Sequence, residues 1–167
     1  SYNAVIGNVL DAERYIAFQI LDYALCSAPG APVKKALLQK GIGTESYGGF
    51  DNGVYQPYFS IVSKNAELSQ KQEFLDIIEA ELKKAVEQGI DKNALKAALN
   101  LFEFRYREAD FGSYPKGLMY GLQMLDSWIY DENEPFLHIE AGDTYRILKE
   151  KIDTDYYEKL VKDYLLD

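Results

Sequence analysis

Two kinds of periodicity divide this chain, and the boundary between them limits the fold more than any other feature. From Ser69 onward apolar residues recur at three- and four-residue spacing, whereas two-residue alternation is confined to residues 44–63. A short β-prone segment at residues 2–6 adds one strand near the N-terminus. The strands are therefore few and grouped, and a run of helices follows them. That order predicts an α+β fold: a small antiparallel sheet with helices packed mainly on one face.

Local signals place the elements. Asp11 is a natural N-cap for a helix carrying Ile16, Ala17, Ile20, Leu21, Ala24 and Leu25. Pro32 suits the first turn of a shorter helix through Ala36, Leu37 and Leu38, stopped by Gly41 and Gly43. Residues 46–50 read as a strand, and Asp51-Asn52-Gly53 as a tight hairpin turn. The strand expected at residues 54–63 contains Pro57, which cannot donate to a ladder, so it is predicted to lie at an edge or to pair on one side there. Ser69 and Gln72 form a capping-box signature before Phe74, Leu75, Ile78 and Leu82. Gly89 closes that helix, and Asp91 caps the next, which carries Leu95, Ala98, Leu99, Phe102 and Tyr106. A further helix runs through Leu118, Leu122, Leu125 and Ile129, and two short amphipathic helices finish the chain. No internal repeat or linker interrupts the pattern, so residues 1–167 are expected to form a single domain, and the missing initiator Met suggests a piece of something longer.

Charge narrows the partners. With 27 acidic residues against 18 basic, the net charge of −9 disfavours nucleic acid and anionic membrane surfaces. No apolar run approaches the ~20 residues of a membrane-spanning helix. Cys26 is the single cysteine, so no disulfide forms within the chain.

The residues hold no self-contained active site. His138 stands alone without a metal-ligand spacing, and Cys26 sits at a helix C-terminal end, where the dipole disfavours a thiolate. The glycines at 41, 43, 48 and 49 lack the lysine and hydroxyl of a phosphate loop. Glu103, Arg105, Arg107 and Glu108 read as an ion-pair set on one helix, with the arginines able to hold a neighbouring segment. Fourteen tyrosines and eight phenylalanines suit a surface that touches other protein or peptide. Tyr55, Gln56, Tyr58, Arg105 and Arg107 are the contact candidates.

Several segments in order carry a family likeness. Leu21-Asp22-Tyr23-Ala24-Leu25, then the stretch from Ala31-Pro32-Val33 through Gly41-Ile42-Gly43, resembles the non-catalytic domains of the pitrilysin/insulinase family of zinc metallopeptidases. Tyr55-Gln56-Pro57-Tyr58-Phe59 and Asn100-Leu101-Phe102-Glu103-Phe104-Arg105 strengthen the resemblance. Tyr114-Pro115-Lys116-Gly117-Leu118 and Ser127-Trp128-Ile129-Tyr130 point to its presequence-protease branch.

The resemblance implies a unit of the mitochondrial-processing-peptidase and insulinase type. Four such units form two half-shells around a closed chamber, and the first carries zinc on an H-x-x-E-H helix with a distal Glu. Here Gln19-Ile20-Leu21-Asp22-Tyr23 falls where that motif would stand, and Asn100 falls near the distal Glu, with Glu103 one turn on. Neither His is present, so the implication is a degenerate second unit with no cofactor of its own and zinc in the parent's catalytic domain. Its implied partners are other domains of the same polypeptide and peptide substrates. A stand-alone scaffold or peptide-binding module of the same fold is the alternative. Relatives work in bacterial cytoplasm and in organelles, so location stays open. A three-stranded sheet with an open edge also predicts dimerisation in isolation.

Overall fold

The computed structural model describes residues 1–109 and 111–166. The sheet has three antiparallel strands in the order β1 (Tyr2–Val5), β3 (Tyr58–Lys64), β2 (Glu45–Asp51). Registers are Tyr2 opposite Ile61 and Phe50 opposite Phe59. Around it run α1 (Ala12–Asp22), α2 (Pro32–Gln39), α3 (Lys71–Gln88), α4 (Lys92–Glu108), α5 (Lys116–Trp128), α6 (Gly142–Lys151) and α7 (Tyr156–Val161). The expected α+β architecture, a small antiparallel sheet with helices, is what forms.

Helix α1 is the centre of the molecule. Asp11 caps it, its carboxylate accepting from the Arg14 backbone N–H at 2.8 Å and from Arg14 Nε at 2.7 Å. Tyr15, Ile16, Ala17, Phe18, Ile20 and Leu21 are all buried, so the helix is covered on nearly every side, by β2, α4 and α6. The Phe18 ring lies 5.7 Å from Phe50, 6.2 Å from Phe59 and 5.8 Å from Tyr164, tying sheet and C-terminal helices into one core. Truncating so completely buried a ring to Ala costs roughly 3–5 kcal/mol. Beyond Asp22 the helix widens into a π-helical turn, Tyr23–Ser27. Gly48 on β2 faces that turn, and a Cβ there would meet Asp22 Oδ1 at 2.0 Å and Cys26 Cβ at 2.4 Å. Only glycine lets the strand approach so closely.

Three local expectations fail. Asn52 and Gly53 do not form a tight turn: neither takes positive φ, and residues 52–57 make a longer link. The link is held elsewhere, because Val9 N–H donates to Tyr55 O at 2.9 Å and Ile6 N–H donates to Pro57 O at 2.7 Å. The strand expected at residues 54–63 accordingly begins at Tyr58; β3 is the central strand rather than an edge, and Pro57, just outside it, bonds through its carbonyl to Ile6 on the β1 side, the expected alternative. Finally, the helix-start box involves Glu67 and Gln70, two residues before the expected pair. The Glu67 N–H donates to Gln70 Oε1 at 3.0 Å, while Gln72 turns to Asp76 at 2.8 Å.

Candidate functional site

The helix positions matched to the degenerate motif lie where α1 meets α4. Gln19 donates from Nε2 to its own helix, at Tyr15 O, 3.0 Å away. Asp22 accepts from Ser27 Oγ at 3.0 Å through Oδ2, while its buried Oδ1 has no partner. Burial pushes its carboxyl up to about 6, against the weaker opposing pull of Ser27. Tyr23 packs edge-on to Phe102 with ring centroids 6.2 Å apart. Asn100 is exposed, and the α4 residues that face Gln19 across the pocket described below are Phe102, Arg105 and Tyr106. Glu103 is engaged by Arg107, which donates to it from Nε and Nη2 at 2.9 and 2.7 Å. Among the described residues no group of three or more His, Cys, Asp or Glu side chains could hold a metal ion. Among the described residues no helix is long and apolar enough to cross a membrane.

Gln19 instead opens onto a pocket of about 330 Å³ between α1, α4, α5 and the loop before α6. Its walls include Tyr15, Phe102, Tyr120 and His138, and its polar groups include Gln19, Asn52, Arg105 and Gln123. His138 is 3% exposed and stacks flat on Tyr15, with ring centroids 3.7 Å apart and planes 14° apart. The stack is held from both sides: Tyr15 OH donates to Asp126 Oδ2 at 2.8 Å, and Gln123 Nε2 donates to His138 O at 3.2 Å. Burial pulls the His138 imidazole down to about 4, outweighing a hydrogen bond to the Val9 backbone, so the ring is neutral at pH 7. Its Nε2 is buried and has no hydrogen-bond partner.

The five contact candidates do not converge. Arg105 lines the pocket, and Arg107 spends its guanidinium on Glu103. Tyr55 and Gln56 are exposed on the link before β3, Tyr55 against Tyr130 at 5.0 Å, and exposed Tyr58 donates to Asp51 Oδ2 at 3.0 Å. His138 was invisible to motif reasoning because its neighbours lie far along the chain, with Tyr15 more than a hundred residues away.

A second feature dominates the surface. On α5 and the residue after it, Leu118, Leu122, Leu125 and Ile129 repeat at intervals of four, three and four, which is one helical stripe. All four are between 41 and 62% exposed. Trp128 and Phe136 extend the apolar area at 48 and 50% exposed. Scattered exposed leucines are ordinary, but a contiguous stripe of large apolar side chains marks a surface meant to be covered.

The family model described as the peptidase M16 inactive domain matches residues 2–102. Protein HypA of Clostridium perfringens is 42% identical over 167 residues, covering all of this chain and 17% of that protein. Presequence protease 1 of Arabidopsis thaliana, assigned to chloroplast and mitochondrion, is 34% identical over 144 residues, 86% of this chain and 13% of that one. The chain thus spans no more than about a sixth of the length of these relatives. In three dimensions it is similar to the inactive peptidase domain of a candidate zinc protease from Bordetella parapertussis, with a TM-score of 0.71 at 10% identity, over 98% of this chain and 81% of that one. At that identity the likeness is one of fold.

Proposed function

This chain belongs to the peptidase M16 inactive-domain family, and from that premise we propose that it is the catalytically silent second unit of a zinc-dependent endopeptidase that degrades short unstructured peptides. In this reading a preceding unit holds the zinc, and this one packs on its own polypeptide and forms part of the wall of an enclosed chamber. Confinement selects substrates by size and by lack of fold. The net charge of −9 steers basic peptides toward the wall without binding them tightly. The presequence-protease relatives support a peptide substrate.

The observation that carries the proposal is the α5 stripe. Four large aliphatic side chains, each about half in water, are costly for a domain that works alone. Covering such a side chain fully is worth about 1.5–3 kcal/mol, so half-burial of four supplies several kcal/mol to a domain contact. The helix position matched to H-x-x-E-H supports the silent role, because Gln19 and Tyr23 are poor zinc ligands.

The double variant Leu122→Asp, Leu125→Asp tests this. In the 167-residue chain alone it should cost about 2–3 kcal/mol, since about half of each side chain is already buried and Asp is a poorer helix former, and the chain should stay folded by circular dichroism. In the longer protein it should loosen this unit from its neighbours, seen as new protease cleavage between units and a several-fold loss of peptide hydrolysis. If the longer protein is as compact and as active as before, the stripe does not make the contact and the reading fails.

A further inference from the structure

We propose that the pocket between α1, α4 and α5 binds the terminal carboxylate of a peptide, together with its apolar C-terminal side chain. The first support is an unbalanced charge. The chain has four arginines; Arg14 pairs with Asp11, Arg107 with Glu103, and Arg146 with Asp143 and Glu150. Arg105 has no ion pair among the described residues, in a chain where 27 acids outnumber 18 bases. Glu103, two residues back, lies on the far side of the helix and is engaged by Arg107, and Glu108, one turn on, makes no ion pair with Arg105. A planar guanidinium at the mouth of a pocket presents a fork matched to a carboxylate.

The walls specify what the carboxylate is attached to. Phe102, Tyr120 and the Tyr15–His138 stack offer aromatic faces, and about 330 Å³ is enough for one side chain and its main-chain atoms. A single cation among aromatic rings suits a monoanionic carboxylate on an apolar residue better than a dianionic phosphate. The second support is the rigidity of the wall: His138, 3% exposed, is stacked on Tyr15 with ring centroids 3.7 Å apart. Its Nε2 is sealed from water, so the ring serves the pocket as a neutral aromatic wall fixed against Tyr15 and puts no second charge beside Arg105. Gln19 and Gln123 spend their amide N–H groups on Tyr15 O and His138 O, which leaves their side-chain oxygens as acceptors.

That the carboxylate belongs to a peptide rests on the function proposed above; the preference for a carboxylate does not. The test is an NMR titration of the 167-residue chain with N-acetyl-phenylalanine and with N-acetyl-phenylalaninamide, which differ only in the terminal charge. The acid should bind saturably with shifts at the side-chain amides of Gln19 and Gln123. The amide should bind about two- to fivefold more weakly, the scale of an ion pair to an exposed guanidinium. Arg105→Gln, an exposed change, should reduce the acid to the affinity of the amide. Equal binding of acid and amide, or shifts that map away from the pocket, overturns the proposal. Failure of the α5 variants to affect the longer protein would leave this titration unchanged, so the two readings fail separately.

Discussion

Asp22 and His138 should pull the stability of this chain in opposite directions across the same pH range, and removing either should expose the other. Asp22 is raised by burial from 3.8 to about 6. The folded state therefore holds its proton more tightly than the unfolded chain. The stability this contributes is complete below pH 3.8 and is lost as pH rises through about 6. His138 is lowered by burial from 6.5 to about 4. Its contribution is present above pH 6.5 and is lost as pH falls through about 4. Each shift is a little over two units, so each contribution is about 3 kcal/mol, with Asp22 nearer 2 because its side chain is only partly buried. In the native chain these slopes largely cancel between pH 4 and 6.5. Asp22→Asn removes one of them. Urea denaturation should show it more stable than the native chain by about 2 kcal/mol at pH 7, with the advantage gone by pH 4. Any cost of burying the new amide shifts the whole curve by about 1 kcal/mol without changing its slope. His138→Gln should show the opposite trend, gaining on the native chain as pH falls. A difference between Asp22→Asn and the native chain that does not vary between pH 4 and 7 would refute the reasoning, because the buried carboxyl would then not carry the shift.

Two further outcomes follow from packing. Gly48→Ala places a methyl against Asp22 Oδ1 and Cys26 Cβ, and the second is rigid, so the expected loss is about 2–3 kcal/mol, or roughly 6–9 °C in Tm; a loss under about 0.5 kcal/mol in thermal melts would show that β2 can withdraw. The outer edge of β2 (Glu45–Asp51) is paired with no other strand among the described residues, so sedimentation velocity should show concentration-dependent dimers of the isolated chain, and monomer at every concentration would refute edge pairing.

What could be read from the sequence and what could not separate along a physical line. Elements specified by contacts within a few residues were legible: the Asp11 and Asp91 caps, the Pro32 helix start and the Gly89 stop all stand where local chemistry puts them. The Asn52-Gly53 turn failed because a longer-range competitor won. Two amides near the N-terminus, at Ile6 and Val9, claim the carbonyls of Pro57 and Tyr55 and stretch the link that a local turn would have closed. The pocket fails the same way. Its members come from α1, α4, α5 and the loop at His138, and no spacing rule joins Gln19 to residues more than eighty positions away. Gln19 and Arg105 were named for separate reasons, and only the packing of α4 on α1 makes them neighbours.

The α5 helix shows why pattern alone cannot finish the argument. Its stripe of Leu118, Leu122, Leu125 and Ile129 mixes three- and four-residue steps, as does the stripe of Phe74, Ile78, Leu82 and Ala85 on α3. On α3 that stripe is buried; on α5 it is not. Helical periodicity reports that one face prefers to leave water, and it is silent on whether the covering atoms belong to the same domain. The α3 stripe is covered by α2, α7 and the chain's last helical turn, elements of this same chain. Among the described residues nothing comparable reaches α5, and the chain spans only about a sixth of its relatives. An apolar face that keeps its helical pattern yet is left uncovered by the described elements is what the packing proposed above would fill. Had α5 carried polar residues at those four positions, the same helix would be a solvated flank, and the case for a unit that works only in company would lose its support.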